Sequence, residues 1–416
     1  MLKFKIFNSE FLSNVSYQMI GTGLAQVLPF AISPLLTRLY SEQDFALFTS
    51  FFALASILVV GVGGRYQLAI VLPAKNNEAV KVFSLSIYIT LAYSIFLLLI
   101  AFLTGIFLNH YLGNYIYLVP LYVLFFGIWS SFSYLSVRRK TFFHNASAKV
   151  LQSVVYIIVC VTLGLMKFTS IGLILGRTFG TLSSWLYLQR ISVKKIRFAK
   201  IEDLKEVGLK YIDYPKFGLI PAFLDIASVQ GIVLILTQFY STSDLGYFGL
   251  TTLVLSAPIA LVGGSFKDVF YQKMVSLVSS RFYSEARRFF IKSALGLLGL
   301  GIPICLVIYF FGPEIFKFVF GEKWERSGYF ASLLSVSFLI QLVVSPLSSI
   351  FNATNKLRSS SFWQTLYFIS TFSTLGICSY VLKIGVEDLL IVYVIHEVVL
   401  YSVYFILQYW TLKRLS

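Results

Sequence analysis

Apolar runs of about 20 residues recur along the whole chain, separated by short polar stretches, and each is long enough to cross a hydrocarbon layer of roughly 30 Å. In the first half they predict helices at Val15–Leu39, Asp44–Leu72, Val82–Ile106, Tyr115–Val137, Val150–Met166 and Ser170–Leu188. In the second half they fall near Pro215–Phe239, Leu245–Phe266, Ile291–Phe311, Tyr329–Asn352, Ser360–Leu382 and Leu389–Gln408. The chain therefore reads as an all-α polytopic membrane protein with twelve transmembrane helices.

One stretch occurs twice. Leu36-Thr37-Arg38-Leu39-Tyr40-Ser41-Glu42-Gln43-Asp44-Phe45-Ala46-Leu47-Phe48 returns 200 residues later as Leu236-Thr237-Gln238-Phe239-Tyr240-Ser241-Thr242-Ser243-Asp244-Leu245-Gly246-Tyr247-Phe248, with six of thirteen positions identical. The register holds to Val62-Gly63-Gly64, which returns as Val262-Gly263-Gly264. A fixed period of this length marks a duplicated unit. Six helices per unit start both copies on the same side, so the repeats are parallel and a central cleft is expected between them. The expected halves are 1–190 and 211–416, joined by a basic cytoplasmic linker at 191–210.

Composition agrees and excludes much. Apolar residues make up 57% of the 416 and charged residues 12%, half the charged share of soluble domains. The polar stretches Gln189–Lys210 and Lys267–Lys292 are too short to fold alone. No cleaved leader is expected, because the first apolar run is too long for a signal core and no small-residue cleavage site follows it. Cys160, Cys305 and Cys378 all lie in apolar segments and read as small buried hydrophobes. With both termini cytoplasmic, inner segments hold 26 of the 34 Lys and Arg and outer segments six, as the positive-inside rule requires. The net charge of +16 thus calls for no nucleic-acid partner, and the basic loops suit an anionic inner leaflet.

No phosphate-binding loop, H-E-x-x-H pair or cofactor motif is present, and His110, His144 and His396 are scattered. The chain does not read as an enzyme, and no cofactor or metal is expected. Attention moves to charges inside the spans, which are expensive and by default functional. Arg65 follows the Gly63-Gly64 pair, Arg177 lies within span six, and the acids of the first half, Glu10, Glu42, Asp44 and Glu78, all lie at span ends or in loops, so none is placed to pair with them. The competing reading for Arg65 is snorkelling to the interface. Gly172, Gly176, Gly180 and Ser184 share one face of span six and read as a packing seam. Asp225 in span seven and Glu397 in span twelve are candidates for a gate to those arginines or for ion coupling. A local hydrogen bond is the alternative for Glu397. Arg138, Arg139 and Lys140 set topology or capture a phosphate head group. Pro29 and Pro34 break span one, while Pro215 and Pro221 fall in its counterpart, span seven.

Three segments carry a resemblance. Pro34-Leu35-Leu36-Thr37-Arg38-Leu39-Tyr40 with Asp44-Phe45, then Arg65-Tyr66-Gln67-Leu68-Ala69-Ile70-Val71-Leu72-Pro73, then Phe320-Gly321-Glu322-Lys323-Trp324 resemble the polysaccharide-transport (O-antigen-unit) flippases of the multidrug/oligosaccharidyl-lipid/polysaccharide (MOP) exporter superfamily. The resemblance implies a bacterial inner-membrane flippase. Its cargo would be an undecaprenyl-pyrophosphate-linked oligosaccharide, such as an O-antigen unit of lipopolysaccharide, moved to the outer leaflet by alternating access with an ion gradient. It further implies a cationic cavity, with Arg65, Arg177, Arg138 and Arg139 as substrate-binding candidates, and polysaccharide assembly proteins as candidate partners. Many relatives have Glu where this chain has Gln67, so no role for that acid carries over. An ion-coupled multidrug antiporter of the same superfamily would need an intramembrane acid, typically in the first half, which has none. A flippase for another polyprenyl-linked glycan, such as the peptidoglycan precursor or a teichoic or capsular unit, is an alternative that charge alone does not separate. A glycan polymerase would carry a large outer loop, whereas the longest expected here is Gly312–Gly328. A monomer is expected, since two halves already make the pair.

If bending of the first helix in each half opens and closes the cleft, replacing Pro29 and Pro34 together by Ala should slow transport without impairing membrane insertion. Full transport by that variant would refute the bending role.

Overall fold

The computed structural model describes residues 9–105, 112–192 and 198–414. His110 and linker residues 193–197 lie outside this set. Among the described residues the chain is helical without strands. Its helices are α1 (Ser9–Leu39), α2 (Glu42–Leu58), α3 (Asn76–Gly105), α4 (Leu118–Arg138), α5 (Phe142–Leu165), α6 (Ser170–Ser192), α7 (Leu204–Lys210), α8 (Asp213–Phe239), α9 (Thr242–Pro258), α10 (Gly264–Ser279), α11 (Tyr283–Phe320), α12 (Glu325–Leu347), α13 (Ile350–Ala353), α14 (Leu357–Gly376) and α15 (Val386–Lys413). Ten segments of this set are long and apolar enough to span a membrane. α6 and α14 have the length of a span but are diluted by Ser, Thr and Gly, and α6 also by Arg177.

The expected spans are matched in order, with four local corrections. Span two ends as a helix at Leu58 and continues as a 3₁₀ segment, Val59–Val71. The polar stretch Lys267–Lys292 is not loop but α10 and the start of α11. The expected outer loop Gly312–Gly328 is also mainly helical. α11 kinks at Phe311 between Pro303 and Pro313 and carries on to Phe320, and a 3₁₀ turn at Glu322–Trp324 leads into α12. At 1.5 Å per residue its 38 residues reach about 57 Å, nearly twice the hydrocarbon thickness. Gly312 and Gly328 turn out to be packing positions, since a Cβ on either would strike the other's backbone. Finally, α1 runs unbroken through Pro29 and Pro34, where a break was expected.

By contacts the chain forms two compact units, Met1–Ile32 with Leu47–Ile226, and Ser33–Ala46 with Ala227–Ser416. These boundaries differ from the halves at 190 and 211, because α1 and α8 each divide along their length.

In the first unit, the small face of α6 packs on α5. Cβ atoms on Gly176 and Gly180 would meet Cys160 Sγ and the Gln152 carbonyl, and Ser184 is fully buried. The linker is bound to α3. The Ala199 amide donates to Ser84 Oγ, Lys81 pairs with Asp203 at 3.4 Å, and Lys210 and Tyr211 both donate to Glu78 Oε1. The hydrogen bond to Glu78 raises the Lys210 pKa.

In the second unit, the duplicated stretch explains itself. Ser41 and Asp44 form a capping pair: the Asp44 amide donates to Ser41 Oγ at 3.2 Å, and the Ser41 hydroxyl and amide donate back to Asp44 Oδ2 at 2.7 and 2.9 Å. Ser241 and Asp244 repeat it at the start of α9, at 3.1 and 2.6 Å. Such a cap satisfies backbone donors that a helix start leaves open, which is why Ser and Asp stand at the same register in both copies. The copies also meet, since a Cβ on Gly246 would strike the Glu42 carbonyl.

The Phe320–Trp324 segment locks onto the first copy. Trp324 is 0% exposed, donates Nε1–H to the Thr37 carbonyl at 3.1 Å, and meets Phe45 edge-on at 5.0 Å and Tyr247 at 6.1 Å. Thr37 Oγ1 donates to the Phe320 carbonyl, and Lys323 Nζ to that of Tyr40. Two motifs 280 residues apart are therefore one packed unit.

Trp324→Ala should cost about 3–5 kcal/mol, the usual range for emptying a buried aromatic site. Trp324→Phe, which keeps a ring but strands the Thr37 carbonyl, should cost about 1–2 kcal/mol. Thermal unfolding of the purified protein measures both, and equal losses would discount the indole hydrogen bond.

Candidate substrate site of the first unit

The 3₁₀ segment is where the chain breaks helical rules. Val62 is extended, with φ −58° and ψ 142°, and Gly63, Gly64 and Arg65 follow in the left-handed region at φ 56°, 54° and 65°. Glycine adopts this conformation without strain. For Arg65 it costs about 1–3 kcal/mol, strain of a kind that collects at functional sites. A Cβ on Gly63 would also lie 2.6 Å from Gln67 Oε1, so any other residue there would have to displace that side chain.

Three side chains hold the break in place by hydrogen bonds. Tyr93 OH donates to the Leu58 carbonyl, freed where α2 ends. Tyr66 OH donates to the Gly208 carbonyl of α7 at 2.9 Å. Arg138 closes the far end, Nη1 reaching the Pro73 carbonyl at 2.6 Å and the Val71 carbonyl at 3.4 Å, Nη2 the Asn76 side chain at 3.2 Å. Arg138 thus spends its fork on backbone and positions the arginine segment. Arg139, the next residue, is exposed.

Arg65 itself is half-buried. Its Nε is buried without a hydrogen-bond partner and lies 3.9 Å from a Cβ built on Gly218 of α8, and Tyr134 of α4 is close enough to interact electrostatically. Arg177 is likewise half-buried, with an unpartnered Nε and its guanidinium 4.9 Å above the Phe52 ring. That cation–π contact offsets part of the desolvation cost. Among the described residues neither arginine has an acidic partner. Arg65 stands by α4 and α8, and Arg177 by α2 and by Cys160 of α5.

Sequence reasoning missed the aromatic and amide groups on these elements. The indole nitrogens of Trp129 and Trp185 and the Oε1 atoms of Gln67 and Gln189 are buried and unpartnered. Trp185 packs on Phe125 at 5.7 Å and Trp129 on Phe126 at 5.3 Å. The available signal was rarity, since the chain has five Trp against 41 Phe. Unpaired guanidinium and indole donors beside ring faces suit a ligand bearing anionic oxygens and sugar rings.

The other candidates lie elsewhere. Asp225 is on the exposed surface of α8, whose helix runs through Pro221. Glu397, on α15 in the second unit, is 0% exposed. It accepts from Tyr367 OH at 2.9 Å and from Gln341 Nε2 at 3.0 Å.

Comparison with known proteins places the fold. The chain is similar to an inward-facing multidrug resistance MATE family transporter of the MOP superfamily, with a TM-score of 0.76 at 14% identity over 97% of this chain and 98% of that one. It also resembles the lipid II flippase MurJ in an inward closed conformation, with 0.71 at 13% over 96% and 87%. A third match is a MOP superfamily transporter of Pyrococcus furiosus described by the reversed polarity of its binding pocket, with 0.64 at 13% over 97% and 96%. The molecule is therefore a multi-pass membrane protein with the twelve-helix MOP transporter fold. Residues 35–329 match the model of a family described as polysaccharide biosynthesis protein, and the chain belongs to that family. No curated protein matches its sequence.

Arg65→Gly separates the arginine's two roles. It should leave thermal stability equal or raise it by about 1 kcal/mol by removing left-handed strain, while abolishing the site's charge. Arg138→Lys, which loses the planar fork, should lower stability by about 1 kcal/mol. A destabilised Arg65→Gly protein would show that the guanidinium is structural.

Proposed function

We propose that this chain is a flippase moving an undecaprenyl-pyrophosphate-linked oligosaccharide, an O-antigen or similar polysaccharide unit, from the cytoplasmic to the periplasmic leaflet of a bacterial inner membrane. The carrying observation is the two half-buried arginines, Arg65 and Arg177, which among the described residues have no acidic partner in an apolar helical unit. A bare guanidinium costs roughly 2.5–3.5 kcal/mol at mid-bilayer on insertion scales, and a pyrophosphate supplies the missing counter-charge. Membership of a polysaccharide biosynthesis family supports a glycan cargo, and the shared fold of a lipid II flippase supports a lipid-linked one.

In this reading Arg65 and Arg177 hold the pyrophosphate during passage, Arg138 keeps the Arg65 segment in register, and Arg139 meets the head group at the cytoplasmic face. The Trp129 and Trp185 rings stack on sugar. No bond is made or broken, so the step is translocation by alternating access, with Pro29, Pro34 and Pro221 as bend points and Asp225 at the gate. Both termini lie in the cytoplasm, and a single chain is the working unit.

The test is movement of a fluorescent polyprenyl-pyrophosphate oligosaccharide into the outer leaflet of proteoliposomes. Wild type should transport it. Arg65→Ala and Arg177→Ala, each inserted normally, should lower the initial rate about 10- to 100-fold, the worth of a charge-assisted hydrogen bond. Export of a cationic dye with no movement of the lipid would overturn the reading in favour of a multidrug antiporter.

A further inference from the structure

The helices of the second unit do not close on one another everywhere. α11, α12 and α15 pack together, and between them lies a cavity of about 460 Å³, within the roughly 300–1,000 Å³ of ordinary small-molecule sites. Ala294 and Leu298 of α11 form one wall, Val398 and Ile406 of α15 the other, and Val343 of α12 the floor. Ser402 is the one hydroxyl-bearing residue of this lining. The groove opens sideways: Ile406 on its rim is 53% exposed, and Leu295, beside Ala294, is 61% exposed. Its end nearer the start of α11 is closed by Phe290, whose ring meets Phe405 at 5.2 Å and Tyr409 at 6.4 Å.

Water does not fill a space of this kind, because apolar cavities stay dry, and an empty one forfeits dispersion contacts along its lining. In a membrane-spanning chain the neighbour at a sideways opening is lipid hydrocarbon.

Charge selects which lipid. Seven residues are two helical turns and return to the same face, so Arg287 lies in line with Ala294 on α11, and Lys413 in line with Ile406 on α15. The Phe290–Tyr409 contact falls three residues from Arg287 and four from Lys413, which puts both cations at the same end of the groove. Arg287 is half-buried, and Lys413 Nζ stands 4.8 Å from the centre of the Trp410 ring. Residues 281–292 and 413–414 together hold six basic residues against one acid, Glu285. Two turns are about 10 Å, which corresponds to the roughly 5–8 Å headgroup layer of one leaflet plus the reach of a long basic side chain.

We infer that this groove binds one anionic glycerophospholipid, with an acyl chain between α11 and α15 and its phosphate at Arg287 and Lys413. The arginine fork suits phosphate oxygens, and the bound chain fills the gap and ties α11 to α15. The cargo's polyprenyl tail is the poorer occupant, since its pyrophosphate is assigned to Arg65 and Arg177 of the first unit. The assignment to the cytoplasmic leaflet rests on the flippase reading, which puts both termini there, whereas the site itself does not.

Native mass spectrometry of the delipidated full chain tests the site, with dispersed phosphatidylglycerol or phosphatidylcholine of identical acyl chains as probes. Wild type should retain one phosphatidylglycerol at concentrations where phosphatidylcholine is lost, and added phosphatidylglycerol should raise the midpoint of thermal unfolding. Arg287→Gln combined with Lys413→Gln should weaken that retention about 5- to 30-fold, the worth of one to two basic residues at a lipid surface, and abolish the preference. Ala294→Leu and, from the opposite wall, Ser402→Leu fill the groove and should each lower retention as well. If one of them fails to insert, the other carries the test. Equal retention of the two lipids by wild type would overturn the site, and so would phosphatidylglycerol binding that neither the charge variant nor the groove variants alter. Displacement of phosphatidylglycerol by an equal concentration of undecaprenyl phosphate would overturn the occupant and return the groove to the cargo's tail. None of these measurements involves transport, so a chain that moves no lipid-linked glycan would refute the cargo assignment and leave the phospholipid site standing.

Discussion

A guanidinium in an apolar interior must be held by something, and in the first unit it is held by a break in the helix. Gly63 and Gly64 turn the backbone left-handed, Arg65 follows them at φ 65°, and the break survives because its loose ends are tied. Tyr93 takes the carbonyl at one end, Arg138 those at the other, and Tyr66 fastens the middle to Gly208. Remove these bonds and the free carbonyls would each cost about 1–3 kcal/mol in a buried setting, enough to return the segment to helix and re-aim the arginine. Substrate binding in the proposed function rests on this strained, fastened turn.

The duplication makes the contrast internal. Val262-Gly263-Gly264 keeps the sequence of Val62-Gly63-Gly64, yet Gly263 sits at φ −62° and ψ −41° and leads straight into α10. The two glycines permit a left turn without compelling one. What differs is the neighbourhood: the first copy has Tyr93 and Arg138 to donate to the carbonyls of the broken ladder, while Gly263 packs near Pro346 within continuous helix. Among the described residues the first unit holds Arg65 and Arg177 without acidic partners, and the second holds a buried acid, Glu397, among hydrogen donors.

Elsewhere the copies remain alike where backbone chemistry leaves no choice. Ser41–Asp44 and Ser241–Asp244 cap equivalent helices, because four amide donors open at a helix start whatever the helix later does. Glycine at 246 lets the two copies touch at Glu42, and Trp324 seals the first against Phe45 and Tyr247.

The sequence by itself determined the membrane class, the order of the twelve helices, the duplication, and that Arg65 and Arg177 stand in apolar spans without acids nearby in the chain. These are properties of hydropathy and spacing, which act locally. Only tertiary structure decided that Arg138 serves the backbone, that the Phe320–Trp324 segment completes the duplicated stretch at Thr37, and that Gly312–Gly328 is helix and packing seam. It also revealed the unpartnered indoles of Trp129 and Trp185 and the contacts of Glu397 with Tyr367 and Gln341. Each of these depends on hydrogen bonds and contacts between residues dozens to hundreds of positions apart. A buried polar group is satisfied by whatever the fold brings within about 3 Å, and one-dimensional spacing carries no record of that.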